Sequence, residues 1–152
     1  MTGLGDVAYT GPPDATETTL SPTNTRNYVI LIQDTSDVTL DGLTITSNRD
    51  LSCLTGVYMI AEHSPLTNIK VTNCVIRHLL QPSGILDVYG LSLNGFSYSI
   101  TDTEISYNEI RDLKSEALGA RGLSSNCYND HGQSIHASVL NTAFLNIQAD
   151  SS

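Results

Sequence analysis

Val38-Thr39-Leu40-Asp41-Gly42-Leu43-Thr44-Ile45 decides how this chain is read. Apolar and polar residues alternate, skip a beat at Asp41-Gly42, and alternate again, as two short half-buried strands joined by a corner would. The pattern returns as Ile69-Lys70-Val71-Thr72-Asn73-Cys74-Val75-Ile76, more loosely as Thr103-Glu104-Ile105-Ser106-Tyr107-Asn108-Glu109-Ile110, and last as Ala137-Ser138-Val139-Leu140-Asn141-Thr142-Ala143-Phe144. The closing residues Ile45, Ile76, Ile110 and Phe144 are 31, 34 and 34 positions apart. A repeat of roughly 20–50 residues is the sequence mark of a solenoid.

A second marker keeps pace with the first. Gly56, Gly90 and Gly122 each open a short apolar segment (Gly56-Val57-Tyr58-Met59-Ile60, Gly90-Leu91-Ser92-Leu93, Gly122-Leu123-Ser124) and lie 34 and 32 positions apart. A short strand with one apolar side cannot bury that side alone. Stacked coils can, each strand pairing in parallel with its equivalent one coil on, about 4.8 Å away. Three inward files are expected: Val38, Ile69, Thr103, Ala137; Leu40, Val71, Ile105, Val139; and Ile45, Ile76, Ile110, Phe144. The skipped beat is a corner, where Gly42 or Asn73 tolerates positive φ. Asn108 falls where Leu43 and Cys74 stood, so either it is an internal polar residue satisfied by backbone or the register slips there.

The rest of the chain fits this frame. Residues 1–27 are rich in Gly, Pro and Thr and read as a lead-in or cap, with Gly11-Pro12-Pro13-Asp14 a turn or extended segment. Tyr28-Val29-Ile30-Leu31-Ile32-Gln33 is an apolar, β-branched run of strand length and opens the repeat domain, 28–152. Asp112 to Arg121 favours helix by composition but reads best as a loop leaving the coil. A sandwich of about nine short strands would explain the alternation, but not two markers sharing one period. The fold expected is therefore all-β: a right-handed parallel β-helix of about four coils.

With 7 basic and 16 acidic side chains the formal charge is −9, which argues against a nucleic-acid binder or attachment to anionic membranes. No apolar run reaches the roughly 18 residues of a membrane helix, and the first residues carry no basic-then-apolar leader. Of the three cysteines, Cys74 sits at an apolar repeat position and reads as a buried small hydrophobe, while Cys53 and Cys127 lie in turn-like stretches and are free to pair or not. There is no CxxC, GxSxG or phosphate-cradling loop.

The stretches Ser36–Ile45, Thr67–Ile76 and Ile105–Ile110 resemble the right-handed parallel β-helix of the pectin-lyase-like superfamily, over roughly residues 28–147. That resemblance implies an extracellular or cell-surface domain that handles polysaccharide, in a superfamily that holds lyases, hydrolases and epimerases as well as non-catalytic spikes and adhesins. Cys127-Tyr128-Asn129-Asp130-His131-Gly132-Gln133-Ser134-Ile135 resembles the polygalacturonase segment carrying the active-site histidine, which would put His131, with Asp130 beside it, in a cleft. The family's paired aspartates and its Asn-Thr-Asp and Arg-Ile-Lys motifs have no counterpart here. Inverting hydrolysis needs an acid and a base on opposite faces of the sugar, and no such pair is visible.

Other candidates come from the residues. Arg77 and Arg111 share a file, and cations there would offset a uronate carboxylate during α-proton removal, as β-helix lyases do. Lys70, Lys114 and Arg121 would extend a basic strip; the plainer reading pairs Arg77 and Arg111 with Asp112, Glu104 or Glu109. His131 and His136 with Asp130 can serve as acid, base or ligands, or sit as ordinary turn and strand histidines. Asp87, Asp102, Asp112 and Glu116 are oxygen donors suited to calcium, though no motif groups them, and no cofactor is required. Tyr58, Tyr89, Tyr98 and Tyr107 offer stacking faces for sugars or bury as wet-tipped core residues. Two functions follow: a carbohydrate-interacting domain, catalytic or derived from a polysaccharide-degrading enzyme, or a non-catalytic rod for adhesion, assembly or a spike. With only about four coils, strand edges at both ends call for an oligomeric partner or further coils.

Overall fold

A computed structural model describes residues 18–21, 26–47, 53–81, 87–116, 119–128 and 132–149. Among these residues the chain is all-β and contains no helix. Its strands are β1 (Thr18–Leu20), β2 (Arg26–Gln33), β3 (Val38–Asp41), β4 (Leu43–Thr46), β5 (Cys53–Ala61), β6 (Leu66–Thr72) and β7 (Val75–Arg77). They continue as β8 (Leu80–Gln81), β9 (Val88–Gly95), β10 (Ile100–Ser106), β11 (Glu109–Ser115), β12 (Ala120–Cys127), β13 (Ile135–Leu140) and β14 (Ala143–Ala149).

Every strand pairing is parallel, and the strands form three sheets that the chain visits in rotation. One sheet is ordered β2-β5-β9-β12, the second β3-β6-β10-β13, and the third β1-β4-β7-β11-β14 with β8 also on β11. Parallel neighbours need a long connection between them; here that connection is the passage through the other two sheets.

The register reproduces the three files read from the sequence. Val38 pairs with Ile69, Ile69 with Thr103 and Thr103 with Ala137; the Leu40 and Ile45 files follow the same rule. Ile69, Val71, Ile105, Ile45, Ile76 and Ile110 have no exposed surface, and with Met59, Leu91 and Leu93 they fill the space between the sheets. The glycine file explains the close fit of that core. A Cβ on Gly56 would lie 2.6 Å from Ile76 Cγ2, and one on Gly90 would lie 2.5 Å from Ile110 Cγ2. The Gly-bearing sheet can therefore lie directly on the isoleucine file.

The corners also form where the skipped beat placed them. Gly42, Asn73, Tyr107 and Asn141 follow paired strand ends, and all four have left-handed φ, between 47° and 67°. A second left-handed file, Asp37, Asn68 and Asp102, immediately precedes the Val38-Ile69-Thr103 file, and a third, His78, Asp112 and Asn146, interrupts the alternation of the third sheet. Asx residues tolerate this conformation, and here they also bond across coils. Asn73 Nδ2 donates to Asp41 (2.8 Å), Asn68 Nδ2 to Asp37 (2.7 Å), and Asn146 Nδ2 to Asp112 (2.7 Å).

Asn108 does not mark a slip. It is fully buried, its Oδ1 accepts the Cys74 N–H at 2.9 Å, and its Nδ2 donates to the Val71 carbonyl at 2.9 Å. The stretch from Asp112, expected to be a loop, is a correction: residues 109–115 form β11, Leu113 is buried, and strand resumes at Ala120. Leu113 pairs with Ile147 and follows the left-handed Asp112, so the helix-favouring composition yields to one more inward apolar file. Part of the lead-in is also sheet: Thr18, Thr19 and Leu20 pair with Leu43, Thr44 and Ile45. Residues 1–17 lie outside the described residues.

Cys74 is a buried free thiol, and burial pushes its pKa up to about 11. Cys127 is an exposed free thiol, so no bridge to Cys53 forms. Cys53 begins β5 and Cys127 ends β12, about eight residues further along the same sheet direction. At ~3.3 Å per residue that is roughly 25 Å, far beyond disulfide reach.

Candidate functional site

The rotation through three sheets sorts the candidate residues by face. Arg77 and Arg111 are register partners on the third sheet. Arg111 forms ion pairs with Glu109 and, at 3.1 Å, with Asp112, which makes its neighbours the carboxylates of its own strand. His78 Nε2 stands 3.5 Å from Asp112 Oδ2. The Asn146 amide lowers the Asp112 pKa more than its partial burial raises it, with help from Arg111 and His78. A groove of about 310 Å³ beside this cluster is lined by His78, Leu80, Asp112, Lys114, Asn146 and Gln148, among others.

Lys70 lies on the second sheet, register-paired with Glu104, in a shallow depression that also includes Asp102 and His136. Tyr107 occupies a left-handed corner between the second and third sheets. The expected basic strip therefore does not form: Lys114 is near Arg111, whereas Lys70 and Arg121 are on other faces. Asp102 and Asp112 lie on the second and third sheets, Asp87 just before β9 of the first and Glu116 just after β11, and among the described residues no three His, Cys, Asp or Glu side chains converge as metal ligands. Asp130 and His131 lie outside the described residues.

The face that gathers aromatic rings is the outer surface of the first sheet. Inward positions alternate with outward ones along each strand. Ile32, Met59 and Leu93 point inward as one buried file, so Leu31, Tyr58 and Ser92 point outward. Thr55, Tyr89 and Arg121 each precede a glycine whose Cβ position faces Ile76, Ile110 or Phe144, so they point outward, and with Tyr28 they stack in register across all four strands. The Tyr28 and Tyr58 rings are 6.1 Å apart between centroids and within 10° of parallel. At the strand ends Phe96 and Tyr128 pack with centroids 6.1 Å apart, and both are exposed. Tyr128 is near enough to both Tyr58 and Tyr89 to act on each electrostatically.

Polar side chains on the same strands pair with one another, and Ser92, Asn94 and Ser124 are buried. Asn94 donates to Ser92 Oγ (2.9 Å), and one coil on Asn126 donates to Ser124 Oγ (3.1 Å). The charged pair is Arg121 and Asp87, at 3.1 Å. Asp87 Oδ2 also accepts the Tyr89 hydroxyl (3.2 Å), and the Arg121 guanidinium lies 5.8 Å from the centre of the Tyr89 ring. Burial raises the Tyr89 pKa, and the Asp87 carboxylate raises it further against the opposing effect of Arg121. Burial first, then Tyr128 and Glu62, raise that of Tyr58. Both phenols are therefore neutral donors at physiological pH. A groove of about 240 Å³ runs between them, lined by Asn27, Tyr28, Leu54, Thr55, Tyr58, Asp87 and Tyr89.

Sequence reading singled out Tyr58, Tyr89 and Arg121 but did not join them, and it passed over Tyr28. The joining signal was present: the residue before each marker glycine is Thr55, Tyr89 or Arg121, and the residue two after it is Tyr58, Ser92 or Ser124. No family model, curated protein or solved structure matches this chain.

Proposed function

We propose that the chain is a right-handed parallel β-helix of about four coils that works as an extracellular or cell-surface carbohydrate-binding domain. Its binding surface is the outer face of β2-β5-β9-β12. The observation that carries this reading is the groove that Tyr28, Tyr58 and Tyr89 line together with Asn27, Thr55 and Asp87. A sugar presents C–H groups on its faces and hydroxyls at its rim. Aromatic rings meet the first, and neutral phenols, amides and a carboxylate meet the second. In-register files present a side chain every ~4.8 Å, a spacing suited to an extended chain molecule.

The test is a glycan array followed by calorimetry on the full chain. Binding is expected, and Tyr58→Ala and Tyr28→Ala should each weaken it roughly fivefold, corresponding to ~1 kcal/mol of ring contact. An array without a single ligand, or ligands indifferent to both substitutions, sinks the proposal.

A structural rod is the second reading. Val139, Leu140, Phe144 and Leu145 leave 41–54 % of their surfaces exposed on β13 and β14, the last strands of their sheets. Such an apolar, edge-bearing surface favours assembly. Sedimentation of the full chain, showing a concentration-dependent oligomer that Phe144→Ser dissolves, would support it.

A further inference from the structure

We infer that the groove on the outer face of β2-β5-β9-β12 selects uncharged glycans over uronates, with Asp87 as the residue that sets the preference. This rests on the carbohydrate-binding reading and names the class of sugar. Among the described residues that line the groove, Asp87 is the sole charged one. Its carboxylate is held in place from three sides. Arg121 Nη2 pairs with Oδ2 at 3.1 Å, the Tyr89 hydroxyl donates to the same oxygen at 3.2 Å, and Gly119 leaves the space it fills. A Cβ at position 119 would stand 2.8 Å from Asp87 Oδ1, so a side chain there would displace the carboxylate.

The arrangement has two electrostatic consequences. First, Arg121 does not line the groove: its Nη2 pairs with Asp87, its guanidinium rests near the Tyr89 ring, and its side chain is 56 % exposed to solvent. Second, a uronate entering the groove would bring its negative charge toward Asp87, on a chain that already carries a formal −9. Like charges at such range repel, more strongly where water is partly excluded. A neutral sugar suffers neither penalty and gains an acceptor, because Asp87 keeps lone-pair capacity for a hydroxyl donor. Glu62, whose charge reaches the Tyr58 phenol, adds to the negative side.

The experiment compares neutral hexaoses (gluco-, xylo-, manno- and galacto-) with hexuronates of galacturonate, mannuronate and glucuronate. Calorimetry would be run on the full chain, on Asp87→Asn and on Arg121→Gln, with Tyr58→Ala marking the site. The wild type should bind at least one neutral hexaose at least about tenfold more tightly than any hexuronate, roughly 1.4 kcal/mol. Asp87→Asn keeps an acceptor for Tyr89 while freeing Arg121. It should narrow that ratio about tenfold or more, with the gained uronate binding weakened by salt. Arg121→Gln removes the cation beside Asp87 and should weaken uronate binding further. A wild type that prefers a hexuronate, or a ratio that Asp87→Asn leaves unmoved, overturns this inference while leaving glycan binding intact. If no hexaose or hexuronate binds, the carbohydrate-binding reading falls and this inference falls with it.

Discussion

Replacing Asn108 tests the interior of the stack at an amide with no exposed surface. Its Oδ1 satisfies the Cys74 N–H and its Nδ2 satisfies the Val71 carbonyl, both at 2.9 Å and both in the coil before it. Asn108→Ala removes both bonds and admits no solvent to replace them. A buried backbone group left without a partner costs about 1–3 kcal/mol, so the pair predicts a loss of about 2–6 kcal/mol. That is a large share of the roughly 5–15 kcal/mol that holds a domain together. Asn108→Leu restores the apolar character that Leu43 has in the same file, yet still strands both groups, so it should remain destabilised. Asn108→Asp separates the two roles. A protonated carboxyl can accept from Cys74 and donate to Val71; the ionised form cannot donate and carries a buried charge. Its folded pKa must therefore rise above the unfolded value of about 4. The folded state then holds a proton that the unfolded chain has released, so stability falls as pH rises from about 4 through the raised value and is recovered on acidification. Urea unfolding of the wild type and the three variants, from pH 4 to pH 8, measures these effects, and hydrogen exchange at the Cys74 amide reports the local opening. Alanine and leucine variants within 0.5 kcal/mol of the wild type, or an aspartate variant indifferent to pH, would refute the reasoning; that threshold is about the lower limit for a typical net hydrogen bond.

Further outcomes follow from the same geometry. Gly90→Ala would place its Cβ 2.5 Å from Ile110 Cγ2 and 2.6 Å from the Gly122 carbonyl oxygen, so thermal unfolding should reveal a loss of about 1–3 kcal/mol. Within one file, Ile105→Ala should cost about 2–5 kcal/mol and Val139→Ala under ~1, because Ile105 is fully buried and Val139 is 41 % exposed; equal costs would contradict the stacking order. A thiol reagent at pH 7.5 should modify Cys127 and spare Cys74 until denaturant is added, as peptide mass mapping would reveal. Burial raises the Asp34 pKa, but hydrogen bonds from the His63, Glu62 and Ser64 N–H groups and the His63 ring outweigh it, and the net value is well below the usual carboxylate range. Its stabilisation is complete above the unfolded pKa near 4 and is lost as pH falls toward the depressed folded value, so Asp34→Asn should flatten acid unfolding below about pH 4.

The files along the second and third sheets were legible because alternation and the corner residue repeat together. Val38, Leu40 and Ile45 find their partners at steps of 31 residues, and Gly42 and Asn73 mark where the phase changes. Residues 109–115 were harder to read, because the left-handed Asp112 breaks the alternation and its charged neighbours mimic a loop or helix end. Only Leu113 betrays the inward file. The aromatic face was harder still. Thr55, Tyr89 and Arg121 share a file but no chemistry, and Tyr28 reaches Tyr58 across a three-residue offset within the sheet. The shared file of Arg77 and Arg111 was legible and the register has them paired, while the carboxylates that occupy Arg111 are its own strand neighbours.

Nitroxide distances along one outward file of the second sheet test the stack most directly. Thr39 pairs with Lys70, Lys70 with Glu104 and Glu104 with Ser138. Labels placed at 39 and 70, at 39 and 104, and at 39 and 138 should report separations that rise in near-equal steps of about 4.8 Å. Separations that do not rise in this order, or that scatter without a common step, would contradict the parallel stacking of successive coils.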